Sequence, residues 1–161
     1  MIVLDVAFRL IHVVTAIVLL GGSIYLRFVL IPSAAELPDA EHDALRGRLR
    51  ARWKKVVMIG ILLLLVSGFY NYLQVAAPAH KGQGKYHMLM GIKILLAMGV
   101  FFLASVLTGR SAKFEAMRRS PAKWLTLLIA LALMVVGLGS VLKVAVPGSP
   151  PLVPPGQTAP E

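Results

Sequence analysis

Four long blocks of apolar residues restrict what this chain can fold into. Each block is long enough to cross the roughly 30 Å hydrocarbon core of a bilayer, which needs about 20 apolar residues in a helix. A bilayer offers no hydrogen-bond partners to the backbone, so blocks of this length are expected to be helical. The chain is 58% hydrophobic and 15% charged, whereas soluble domains average roughly 45–50% and 25%. The sequence therefore predicts an all-α fold, an integral membrane four-helix bundle.

The residues that flank the blocks set the predicted boundaries. Helices are predicted over about 6–31, 56–76, 87–108 and 124–146. Pro32 is expected to close the first helix, and Ser120 with Pro121 to begin the fourth as N-cap and first helical residue. Residues 1–146 thus form one transmembrane domain. The proline-rich segment 147–161 is predicted to be an extended tail.

Basic residues are distributed unevenly among the loops. Six Lys or Arg residues lie between helices one and two and five between helices three and four, but only Lys81 and Lys85 lie between helices two and three. The positive-inside rule therefore places the first and third loops in the cytoplasm and both termini on the outer, periplasmic side. This clustering accounts for the net charge of +10 without nucleic acid as a partner. We expect a multi-pass protein of a bacterial-type inner membrane, with the lipid bilayer as its surroundings.

The first basic loop contains a helical pattern. Leu45, Leu49 and Trp53 recur every four residues, with arginines between them. Such a stripe is typical of an amphipathic helix at the membrane interface, predicted here over about 39–55 and leading into helix two. We interpret this segment as a topological anchor, with recruitment of anionic lipid as the alternative.

Polar residues at membrane depth are costly and therefore informative. At about 1.5 Å of rise per helical residue, the predicted topology places polar side chains from all four helices in the outer half of the bilayer. These residues are His12, Tyr70, Asn71, Tyr72, His87, Lys93 and, near the outer surface, Lys143. In the inner half the comparable residue is Arg27, which can extend to the interface. A functional site is therefore expected in the outer half.

Two of these residues, His12 and His87, are candidate metal ligands. Two histidines on different helices can hold a b-type haem, and helix bundles commonly build such sites. Lys93 would attract a haem propionate but repel a bare copper ion, which favours haem b over copper. Tyr70 and Asn71 are further candidate cofactor-binding residues. The alternative is that no cofactor binds, with His12 bonded to a neighbouring helix and His87 and Lys93 at the interface.

The order of these residues resembles a known family. The motifs are His12 followed by Gly21-Gly22, then Ser67-Gly68-Phe69-Tyr70-Asn71, then Tyr86-His87 with Lys93 further along. Over about residues 8–110 the chain resembles the copper-resistance protein D (CopD) domain and is similar to the HemJ-type protoporphyrinogen oxidases. The resemblance implies a haem-associated or copper-associated membrane protein. HemJ-type proteins have a histidine two residues before the helix-three lysine, where this chain has Gly91.

Three functions follow as hypotheses. The first is a haem b or metal site in the outer half of a small membrane protein. The second is an accessory structural subunit of a larger electron-transfer complex, or a homo-oligomer, without its own cofactor. The third is copper transport. We expect no enzymatic activity, or else a haem-dependent oxidoreductase of HemJ type, since glycine-loop, nucleophile-elbow and His-Glu-x-x-His motifs are absent and there is no cysteine.

Overall fold

The computed structural model describes residues 2–146, so the predicted tail at 147–161 lies outside the described residues. Within 2–146 the elements are helical, without a strand. The α-helices are α1 (Ile2–Tyr25), α2 (Ile31–Ala34), α3 (Asp39–Tyr70), α4 (Ala77–Ala79), α5 (Gly84–Thr108), α6 (Glu115–Arg119) and α7 (Pro121–Ala145). Two π-helical segments, Leu26–Leu30 and Asn71–Ala76, connect α1 to α2 and α3 to α4, and a 3-10 turn, Ala112–Phe114, precedes α6.

Four helical stretches are long and apolar enough to cross a membrane, as predicted. They are Ile2–Ala34, Asp39–Ala79, Gly84–Thr108 and Pro121–Ala145. The segment predicted at about 39–55 is helical but is not a separate element, because α3 continues through it without a break. The last helix begins at Pro121 with Ser120 at the N-cap position, although the Ser120 side chain makes no capping hydrogen bond.

The prediction that Pro32 closes the first helix was wrong. The helical backbone passes through Pro32 and ends at Ala34. Pro78 lies in the same way within the short α4. A proline lacks the amide proton of the helical hydrogen bond and its ring crowds the carbonyl four residues earlier. A π-helical segment precedes each of these prolines, and its wider turn accommodates the ring without ending the helix.

The four long helices form a closed ring. α1 packs against α3 and α7, and α5 packs against the same two helices. Successive helices run in opposite directions, so the bundle has two chemically different ends. We call the end with Ile2, His80 and Val146 the terminal end, and the end with the α2–α3 connection and residues 109–120 the basic end.

Some of the helical glycines allow close contacts between helices. The Trp53 indole packs directly onto Gly22, and the Leu19 side chain lies where a Cβ of Gly60 would stand. By contrast, a Cβ at Gly21 or Gly99 would meet no atom within 4 Å. Close contact between helices therefore involves some of the helical glycines and not others.

Candidate functional site

His12 is held on the inside of the bundle by a serine of the neighbouring helix. The Ser67 hydroxyl donates to the Leu63 carbonyl at 2.5 Å, so its oxygen accepts the hydrogen bond from His12 Nδ1 at 2.9 Å. Ser67 is fully buried, and Gly68 leaves room for the ring, since a Cβ there would lie 3.2 Å from His12 Cε1. With the proton on Nδ1, a neutral imidazole keeps its lone pair on Nε2. His12 is thus oriented as a ligand or proton acceptor.

Lys93 reaches into the same part of the bundle from α5. Its side chain lies against α7, where a Cβ at Gly139 would be 3.2 Å from Lys93 Nζ. The amino group interacts electrostatically with the His12 imidazole across the bundle. Within residues 2–146, Nζ has no hydrogen-bond or ion-pair partner. A half-buried amine without a counter-ion favours an acceptor or anion beside it.

Tyr70 and Asn71 lie closer to the terminal end and bind α1. The Tyr70 hydroxyl donates to the Asp5 carboxylate at 2.9 Å, and its ring stacks on Phe8 with centroids 4.0 Å apart. Asn71 Nδ2 donates to the Phe8 carbonyl at 3.4 Å. Both predicted cofactor-binding residues therefore also connect α1 to the end of α3.

His87 lies at a different level from His12. Its Nδ1 is 3.2 Å from the Tyr72 hydroxyl, whereas His12 bonds to Ser67, five residues earlier in the chain. Five helical residues correspond to about 7.5 Å along the bundle axis. The two histidines therefore bond to different residues of the second membrane-spanning stretch. Their pairing on one metal ion stays a prediction.

His80, in the connection between α4 and α5, has a structural role at the terminal end. Its Nδ1 lies 2.8 Å from the Ala76 carbonyl and its Nε2 lies 3.0 Å from the Val146 carbonyl. The ring also stacks on Tyr86 with centroids 3.6 Å apart. His80 thus connects the end of α7 to the α4–α5 connection. No local sequence pattern indicates this contact, because Val146 lies 66 residues further along the chain.

The basic end contains a feature that the sequence analysis missed. A cavity of about 330 Å³ opens there among α1, α3, α5 and α7, with apolar walls that include Leu26, Trp53 and Leu128. Four arginines also line this cavity: Arg46, Arg50, Arg118 and Arg119. The sequence placed these charges near the interface but contained no signal that α3 and α6 would bring them around one cavity.

The described residues contain no group of three or more His, Cys, Asp or Glu side chains arranged to hold a metal ion. His12 supplies an oriented imidazole inside the bundle, and Lys93 supplies an amine. Comparison with protein-family models, with curated proteins and with solved structures finds no match for this chain.

Proposed function

We propose that this multi-pass membrane protein binds haem b, and that His12 would hold the iron through its imidazole. The observation that carries the proposal is the hydrogen bond from His12 Nδ1 to Ser67, which puts the proton on Nδ1 and leaves the lone pair on Nε2. The CopD- and HemJ-like order of residues points to the same histidine and to Lys93. We place this site in the outer half of the membrane, with the basic end in the cytoplasm.

The residues around His12 fit a haem better than a bare ion. The porphyrin supplies four of the iron's ligands, so one imidazole from the protein is enough for binding. Lys93 supplies the positive charge that a propionate needs, and that charge would repel a copper cation. A bound haem would supply one-electron transfer. The chain's own residues orient the ligand, through Ser67, and neutralise the acid group, through Lys93.

The test is a reduced-minus-oxidised absorption spectrum of the purified full-length protein. We expect b-type bands in the unmodified protein and their loss in His12→Ala. Lys93→Met is expected to retain the bands but to weaken haem binding about tenfold, because a charge-assisted hydrogen bond is lost. Lys143→Met, the matched removal of a lysine from an exposed position on α7, should bind haem like the unmodified protein.

His42→Ala is the control for the position of the haem. His42 lies at the basic end, beside the apolar cavity, and its removal should leave the spectrum unchanged. Loss of the bands in His42→Ala but not in His12→Ala would place the haem at the opposite end and contradict the proposal. An unmodified protein without a Soret band after growth with excess haem would also contradict it.

A further inference from the structure

Arg118 is buried at the basic end with part of its guanidinium unsatisfied. Only 7% of the residue is exposed. Its Nη2 donates to the Ser111 carbonyl at 2.6 Å, but its buried Nη1 has no partner among the described residues. Desolvating a charged donor without an acceptor is costly, and an anion at Nη1 would remove that cost.

The space next to Arg118 has both apolar and basic walls. Arg118 lines the 330 Å³ apolar cavity and also a second cavity of about 380 Å³, whose lining residues are charged except for Gly47. The same four arginines line both cavities. An arginine between an apolar chamber and a polar opening suits a ligand with an anionic head and a hydrocarbon tail.

The charges around the polar cavity leave a net positive site. Four arginines and two carboxylates, Asp43 and Glu115, line it. Arg119 Nη2 donates to Glu115 at 2.8 Å, and this hydrogen bond lowers the pKa of the Glu115 carboxyl. The positive charge of Arg119 and the negative charge of Glu115 therefore cancel each other. Arg46 donates to the backbone carbonyl of Arg118, which holds α6 against α3. The charges of Arg46, Arg50 and Arg118 then exceed that of Asp43.

We propose that the basic end binds one anionic phospholipid, with its phosphate at Arg118 Nη1 and an acyl chain in the apolar cavity. A soluble anion would use the arginines but not the apolar walls formed by residues such as Leu49 and Leu125. A zwitterionic lipid would place its own cation among the arginines. The lipid site is separate from the proposed haem site, because its cavity lies at the basic end of the bundle, whereas His12 contacts Ser67 further toward the terminal end.

The test compares phosphatidylglycerol with phosphatidylcholine of the same acyl chains. The full-length protein is extracted from vesicles containing equal amounts of both lipids, and retained lipid is measured by native mass spectrometry. We expect the protein to retain phosphatidylglycerol about tenfold more than phosphatidylcholine, as a charge-assisted contact to a buried guanidinium implies. Arg118→Gln should bring the ratio close to one, whereas Arg118→Lys should keep part of the preference.

Three further variants separate the contributions of surface charge, of the arginines and of the apolar cavity to lipid retention. Lys123→Gln removes the same charge from an exposed position outside both cavities and should retain the full preference. Arg50→Gln removes a positive charge from the lining of both cavities and leaves the hydrogen bonds of Arg118 in place. It should lower the preference for phosphatidylglycerol even if Arg118→Gln does not fold. Ala104→Leu narrows the apolar cavity and should reduce retention of both lipids without changing their ratio.

Equal retention of the two lipids by the unmodified protein would overturn the proposal. So would equal ratios in Arg118→Gln and Lys123→Gln, since the charge would then act only through the general surface potential. Displacement of the lipid by excess inorganic phosphate would identify a soluble-anion site instead. His12→Ala should retain the lipid preference, so failure of the haem proposal is distinguishable from failure of this one.

Discussion

At the scale of single residues, the Ser67 hydroxyl determines which nitrogen of His12 is available. Its one proton is used on the Leu63 carbonyl, so it can only accept from the imidazole. An uncharged serine on α3 therefore determines the tautomer of a histidine on α1.

Replacement of Ser67 with alanine leaves His12 Nδ1 without its partner. We expect a loss of about 1–3 kcal/mol in stability, the cost of an unsatisfied buried polar group, and a mixture of imidazole tautomers. Thermal unfolding in detergent and ¹⁵N NMR of the imidazole measure the two effects. Ser140→Ala is the matched control, since that exposed hydroxyl bonds only to the Val136 carbonyl of its own helix. Equal losses in the two variants would show that the His12 contact contributes nothing.

The depth of the polar residues along the bundle could be predicted from the sequence better than their hydrogen-bond partners. Helical rise places His12 and Lys93 at similar depth, and the structure brings both into the bundle interior. The partner of His12 depends on the rotation of α3, which one sequence does not specify. Arg118 was missed for a related reason: its burial results from packing of the short α6 against α3, and a basic loop residue is exposed by default.

At the scale of helices, close approach depends on which face a glycine occupies. Gly21 and Gly22 are neighbours, yet only Gly22 lies under the Trp53 indole. A rotation of about 100° per residue separates their faces. The sequence identified the pair but not which glycine makes the contact.

Gly22→Ala is expected to destabilise the bundle by about 1–3 kcal/mol, because the added methyl group overpacks the contact with Trp53. Gly21→Ala adds the same group to an open position and should change stability little. Unfolding of the two variants in the same detergent compares them directly. Similar melting temperatures would mean that the Trp53 ring moves aside without cost.

His80 connects two helix ends that are distant in the chain. Both ring nitrogens lie within hydrogen-bond distance of carbonyl oxygens, one in Ala76 and one in Val146. His80→Phe keeps a ring to stack on Tyr86 but removes both hydrogen bonds. Hydrogen exchange should then become faster in the last turn of α7, around Lys143, and stay unchanged near Leu128. Unchanged exchange at both places would rule out the connection.

At the scale of the whole molecule, the asymmetry of basic charge predicts the orientation. Lys81 and Lys113 are exposed residues at opposite ends, and the chain has no native cysteine to interfere with labelling. We expect Lys81→Cys to react with a membrane-impermeant maleimide in intact cells, and Lys113→Cys to react only after permeabilisation. The physical reason is the excess of Lys and Arg in the loops at the basic end. The reverse pattern would invert the assignment of both termini.

The four-helix architecture was predictable because membrane length and backbone hydrogen bonding leave few alternatives. The helix ends were less predictable, since Pro32 was expected to end the first helix, whereas a π-helical segment before it lets the helical backbone continue to Ala34. The shape of the basic end depends on contacts between α3 and α6 that no local pattern encodes.

The unbroken length of α3 has a mechanical consequence. Its 32 residues extend about 48 Å, well beyond the roughly 30 Å of a hydrocarbon core. Arg46 fastens it to α6 near one end, and Ser67 bonds to His12 near the other. Between these two contacts α3 is one uninterrupted helix. We therefore expect a lateral movement of α3 at Arg46 to shift Ser67 as well, and with it the hydrogen bond that orients His12.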